Sequence, residues 1–126
     1  MENVIKKLKF KGNGVVINAP TALEKEFVML GFSISLDKNS KNENTLLFVN
    51  NNKEFIGFLN DQLKNIKPDS IFWIAYPKGS SKIKTDINRD TLRVTSEGFG
   101  ITTVTAISID ETWSALRFRP IEKVGK

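Results

Sequence analysis

Six apolar or aromatic residues stand in unbroken succession at Ile71–Tyr76. A strand turns successive side chains to opposite faces, so Ile71, Trp73 and Ala75 share one face and Phe72, Ile74 and Tyr76 the other. Both faces are greasy. That pattern fits a central strand covered on both sides by helices. Shorter apolar runs flank it. Val15–Asn18 reads as a strand entered by Gly12–Asn13–Gly14 and ended by Ala19–Pro20. Phe32–Leu36 alternates apolar with serine, as a half-buried strand near a sheet edge does. Thr45–Val49 is a short buried strand, and Ile101–Ile109 is rich in β-branched residues. Trp113–Arg119 alternates after the Asp110–Glu111–Thr112 turn, which makes it the antiparallel partner of Ile101–Ile109.

Helical spacing fills the gaps. Thr21 and Glu24 have capping-box spacing, Leu23, Phe27 and Leu30 share a face, and Gly31 is a natural stop. Ile56, Leu59, Leu63 and Ile66 recur at helical intervals, with Phe55 widening the stripe. Any of Asn50–Asn52 can cap this helix, and Pro68 ends it. A third helix is predicted with Thr85 or Asp86 as its cap, Ile87 and Val94 facing inward and Gly98 as its stop. Residues 1–13 read as a basic lead-in, an amphipathic turn anchored by Ile5, Leu8 and Phe10. Asp37–Asn44 reads as a flexible polar loop, and 120–126 as a frayed tail.

The order β-α-β-β-α-β-α-β-β predicts one α/β domain over 1–126. It is a three-layer Rossmann-like fold, with a mostly parallel sheet of about six strands closed by an antiparallel hairpin.

Composition narrows the chemistry. The 126 residues contain neither cysteine nor histidine. This removes disulfides, thiol chemistry, His-dependent triads, the usual base near neutral pH and the common zinc sites; no metal site is predicted. Nineteen Lys and Arg against fourteen Asp and Glu give a net charge of +5. That permits an anionic partner, although such a charge is ordinary for solubility. No apolar run approaches a membrane span, and the lysine-broken N-terminus lacks the apolar centre of a signal peptide. The expectation is a cytoplasmic protein with no membrane contact.

In open sheets, ligands lie beyond the carboxyl ends of the strands. That rim is expected to hold Asn18–Thr21, Asp37, Asn50–Asn52, Lys78–Lys84 and Asp110–Trp113. Within it, Lys78, Gly79, Ser80, Ser81, Lys82 and Lys84, leading into Asp86, could hold a phosphate or carboxylate. The loop lacks the P-loop spacing, and the competing reading is a solvated connection. Trp113 beside Arg117 and Arg119 could stack a base or cofactor ring. Its structural alternative is a core tryptophan with arginines keeping an edge strand soluble. Asp37, Asp86 and Asp110 are the carboxylates that could converge for catalysis.

The segments AYPKGSSKIKTDINRD at Ala75–Asp90 and IDETWSALRFR at Ile109–Arg119 resemble an uncharacterised bacterial family known only as a domain of unknown function. The element order is similar to a shortened S-adenosylmethionine-dependent methyltransferase fold. The resemblance implies a glycine-rich cofactor loop after the first strand, where this chain has Asn18–Ala19–Pro20–Thr21. It also implies a ribose-binding acid after the second strand, where this chain has Asp37. With no glycine in that loop, no bound cofactor is expected.

Three readings follow. The first is a non-catalytic module binding a small anionic ligand or a protein partner at the rim. The second is a minimal methyltransferase-like or phosphate-handling enzyme using Asp37, Asp86 or Asp110 with Lys78. The third is nucleic-acid binding through the basic loop and Arg117 and Arg119.

Overall fold

A computed structural model describes residues 2–38 and 41–124. Asn39 and Ser40, inside the polar loop, and the last two residues of the tail lie outside the described residues.

Five strands form one sheet, in the order β1-β2-β3-β5-β4. These are β1 (Val15–Ile17), β2 (Asn42–Phe48), β3 (Ile66–Pro77), β4 (Ile101–Ser108) and β5 (Trp113–Pro120). The pairs β1–β2 and β2–β3 are parallel; β3–β5 and β4–β5 are antiparallel. Five strands stand where about six were expected. Because β5 inserts between β3 and β4, it gives the sheet two antiparallel ladders, not the single antiparallel edge of a mostly parallel sheet.

The missing strand is Phe32–Leu36. It contributes one parallel bridge, Ser33 to Val15, with Val16 N donating to Ser33 O at 2.8 Å and Ser33 N to Gly14 O at 3.0 Å. Since β2 occupies one edge of β1, this bridge lies on the other. The chain then bends away, and Asn42 explains why. Its amide is buried, accepts from Asp37 N (3.3 Å) and donates to Asp37 O (3.2 Å) and Asn65 O (2.8 Å). Asp37 is thereby drawn to the amino end of β2.

The two faces of β3 are as the alternation predicts. Ile71, Trp73 and Ala75 join Val4, Leu8, Val16, Phe27 and Trp113 in one core. Helices α1 (Glu2–Leu8) and α2 (Thr21–Met29) cover that face. Phe72 and Ile74 join Phe55, Phe58, Leu59, Leu92, Leu116 and Phe118 in the other, beneath α3 (Asn52–Gln62) and α4 (Arg89–Glu97). Burying a Leu or Phe fully contributes about 1.5–3 kcal/mol, so these two clusters are the main stabilising term. Trp73 also ties the lead-in down, its Nε1 donating to Leu8 O at 2.9 Å.

Helix ends follow local chemistry, with three corrections. At the start of α2, Pro20 occupies the cap position and no side chain caps it; Thr21 is already helical. With Thr21 inside the helix, the cap position falls to a proline, which has no side-chain acceptor, and the Thr–Glu box does not form. The other end is as predicted. Gly31 takes a φ of 92°, Phe32 N donates to Phe27 O and Gly31 N to Val28 O, both at 3.0 Å. The Phe27 and Phe32 rings meet edge to face at 5.2 Å, completing a Schellman motif.

The second correction is α4. Asn88, not Thr85 or Asp86, is the cap, in a reciprocal box with Thr91. Ile87 before the cap and Leu92 within the helix are both buried in one cluster, as a hydrophobic staple. Val94 is 60% exposed and does not face inward. Helix α3 is capped by Asn51, whose side chain accepts from Glu54 N. It also ends earlier than its periodicity suggested. A 3-10 turn, Leu63–Asn65, intervenes, and Ile66 already belongs to β3. Pro68 interrupts a strand here, not a helix. The ladder partners jump from Asn42–Ile66 to Asn44–Ile71, so residues 67–70 bulge out, with Asp69 at a φ of 59°.

Candidate functional site

The loop Lys78–Lys84 leaves the carboxyl end of β3, as predicted, and both its ends are fastened. Lys78 N donates to Thr112 O at 2.8 Å, and Lys78 Nζ to Ser108 Oγ at 2.6 Å. At the far end Thr85 Oγ1 donates to Asn50 O at 2.7 Å, and Asp86 Oδ1 accepts Asn52 N at 2.8 Å. Between these ties Gly79, Ser80, Lys82 and Lys84 are exposed. Lys82 and Lys84 have no ion pair among the described residues. Ser81 Oγ is buried without a hydrogen-bond partner.

The other sequence candidates have structural duties. The carboxylate of Asp86 sits on an amide at the start of α3, where helix polarity favours negative charge. Asp110 Oδ1 accepts Thr112 N and Trp113 N, both at 2.8 Å, and so builds the β4–β5 turn. Trp113 is only 4% exposed and packs edge to face on Phe48 at 5.1 Å. It is core payload and offers no stacking surface. Asp37 lies at the amino end of β2, away from the rim. Asp37, Asp86 and Asp110 are all exposed and do not converge. Burial pushes the half-buried Tyr76 phenol up, so it stays neutral near pH 7.

Arg119 is at the opposite end of β5. Its Nε and Nη2 reach Asp69 at 2.7 and 3.2 Å. That pairing holds the Asp69 carboxyl below its ordinary range and raises the guanidinium. Arg119 is six residues along β5 from Trp113, roughly 20 Å at strand rise, and does not extend the basic loop.

Direction of travel reverses between β1 and β2. The chain leaves β1 through α2 on one face, touches the outer edge of β1 at Ser33, and returns to β2 on the inner edge. From β2 it continues through α3 on the other face to β3. This is the switch point where open sheets take ligands. Here its mouth is stitched by side chains. Asn18, with a φ of 62°, donates from Nδ2 to Phe48 O (3.1 Å) and toward Glu54 Oε1 (3.4 Å). The same Glu54 oxygen accepts Asn50 N (2.9 Å) and Asn50 Nδ2 (3.2 Å). Asn18 and Glu54 themselves line a cleft of about 340 Å³ that runs along α3 past Ile17, Gly57 and Asp61. Sequence reasoning missed this closure. The signal was Asn18 itself, a residue type that tolerates the left-handed region and carries both a donor and an acceptor.

No family model matches the chain, and no curated protein does. The resemblance of 75–90 and 109–119 to an uncharacterised bacterial family therefore finds no support. Among solved structures, a SAM dependent methyltransferase from Aquifex aeolicus is similar, with a TM-score of 0.55 at 13% identity. The match covers 93% of this chain and 87% of that one. The fold is methyltransferase-like. At that identity the likeness concerns the backbone path alone, including the closing antiparallel strand. The loop after β1 is Asn18–Ala19–Pro20–Thr21, without the glycines of a cofactor loop, so it does not fit close approach of a nucleoside cofactor to the backbone, and Asn18 and Glu54 line the cleft beside it. No helix among the described residues is long and apolar enough to cross a membrane.

Proposed function

We propose that the chain is a non-catalytic module of methyltransferase-like fold that binds a small anionic ligand on the loop Lys78–Lys84. The observation that carries this reading is the stitched switch point. Asn18 and Asn50 both engage Glu54 at the place where a cofactor would enter, so these polar groups are already committed to one another, while the neighbouring loop keeps unpaired lysines in solvent. Fastening at Lys78 and at Thr85–Asp86 lowers the entropy lost when the loop orders around a ligand. Against an enzyme stands the use of the rim carboxylates: Asp86 and Asp110 are committed to backbone amides and Asp37 is elsewhere. Against nucleic acid stands the separation of the loop from Arg119, which breaks the expected continuous positive face.

The test is an amide-shift titration of the labelled protein with inorganic phosphate, S-adenosylmethionine and a short oligothymidine. Phosphate should move the amides of residues 78–86 and lose that effect in a K82Q/K84Q variant. Shifts at Asn18, Asn50 and Glu54 with S-adenosylmethionine, or a loop indifferent to phosphate, would overturn the proposal.

A further inference from the structure

A further cleft lies at the other end of the sheet, beside the bulge at 67–70. It encloses about 430 Å³, and its charged lining is Lys9, Lys11, Lys67 and Arg117 with Glu43 and Asp69. Both acids are already neutralised. Glu43 pairs with Lys67 at 2.7 Å, which holds its carboxyl below the ordinary range, and Asp69 pairs with Arg119 at 2.7 Å. Lys9, Lys11 and Arg117 are left without an ion pair among the described residues, three cationic side chains around one concavity.

Arg117 is the least satisfied of them. Its Nε is buried and has no hydrogen-bond acceptor. A guanidinium presents its donors as a fork that matches two oxygens of a phosphate or carboxylate, and this one, on a half-buried residue, has a donor without an acceptor. The lysines are placed by backbone features, not by chance. Lys9 leaves α1 at a φ of 59°, and Lys11 N is pinned to Asn44 Oδ1 at 3.0 Å. At this end of α1, Leu8 O is taken by Trp73 Nε1.

We infer that this cleft is a second anion site, built for a compact polyanion such as the diphosphate part of a small metabolite. The lining sets the size: a compact ligand meets Lys9, Lys11 and Arg117 together, whereas an extended polyphosphate backbone finds no further unpaired cation in this lining to follow. The inference is independent of the loop proposal, since the two sites are at opposite ends of the sheet.

Inorganic pyrophosphate is the probe, with tricarballylate as the carboxylate arm and oligothymidine as the extended arm. Pyrophosphate should shift the amides of residues 9–11, 67 and 69–71 and protect the fold against urea. Exchanging the exposed lysines in K9Q/K11Q should weaken binding at least tenfold while the unliganded spectrum stays unchanged. R117Q is the second variant, read by the same shifts. Tricarballylate binding with equal strength would replace diphosphate by carboxylate and overturn the phosphate assignment. Tighter oligothymidine binding at these amides would overturn the compact-ligand reading. Pyrophosphate shifts confined to 78–86, or unaltered by K9Q/K11Q, would remove the site; K82Q/K84Q separates that result from failure of the loop proposal.

Discussion

Replacing Asn18 by alanine and, separately, by glycine inverts the usual order of the two residues. At an ordinary position glycine is the more destabilising, by roughly 0.5–1 kcal/mol, because it loses more freedom on folding. Asn18 differs in two ways. Its φ is 62°, and its Nδ2 donates to Phe48 O at 3.1 Å. Either substitution removes that bond, a net loss of about 1 kcal/mol. Alanine adds the cost of holding a Cβ in the left-handed region, about 1–2 kcal/mol, less the smaller cost asparagine already bears there. Glycine relieves that strain but carries its own entropy term, and the two nearly cancel. The expectation is about 2 kcal/mol lost for N18A and about 1 kcal/mol for N18G. Urea unfolding followed by tryptophan fluorescence measures both, since Trp73 and Trp113 are buried. Glycine proving more damaging than alanine would show that the backbone at Asn18 is not left-handed. The stitched mouth, and with it the argument against a cofactor, would then lose its footing.

Other outcomes follow from the same packing. L92A removes a fully buried side chain beneath α4 and should cost about 2–5 kcal/mol, whereas V94A, two residues on but mostly exposed, should stay within about 0.5 kcal/mol by the same unfolding assay. Gly57 lies inside α3 with nothing within 4 Å of an added Cβ, so G57A should stabilise by about 1 kcal/mol. G14A should destabilise by about 1–3 kcal/mol, because its methyl would lie 2.6 Å from the Phe10 ring and 2.7 Å from Phe32. Asp69 has a depressed folded pKa, so its contribution to stability is present above the unfolded value and lost as pH falls through the folded one. A carbon-detected titration should place its midpoint below 3.8, the ordinary value, and R119Q should return it toward that value.

The central strand was legible because period-two alternation is a local signal. Ile71, Trp73 and Ala75 part from Phe72 and Ile74 in the sequence as they do in the two cores. The rim loop was legible for the same reason: Pro77 and Gly79 announce where an apolar strand must end. Trp113 was legible only as a choice of two, because a tryptophan next to arginines looks alike whether its face meets a ligand or Phe48; the core reading is the one the packing bears out. Asp37 was misplaced because the clasp that holds it belongs to Asn42, and nothing near Asp37 announces that pull. The 67–70 cleft was invisible for a related reason. Pro68 after a helical stripe reads as a helix stop until the register with β2 shows a bulge.

The chain on its own determined which residues are apolar, on which side of each element they fall, and where turns must come, since those depend on spacing within a few residues. Partnership was decided by the fold: that Phe32–Leu36 would manage one bridge and not a strand, that β5 would slip between β3 and β4, and that two charged surfaces would stand at opposite ends of the sheet. Pairing joins residues dozens of positions apart, and the free energy that selects one partner over another exists only once the layers are packed.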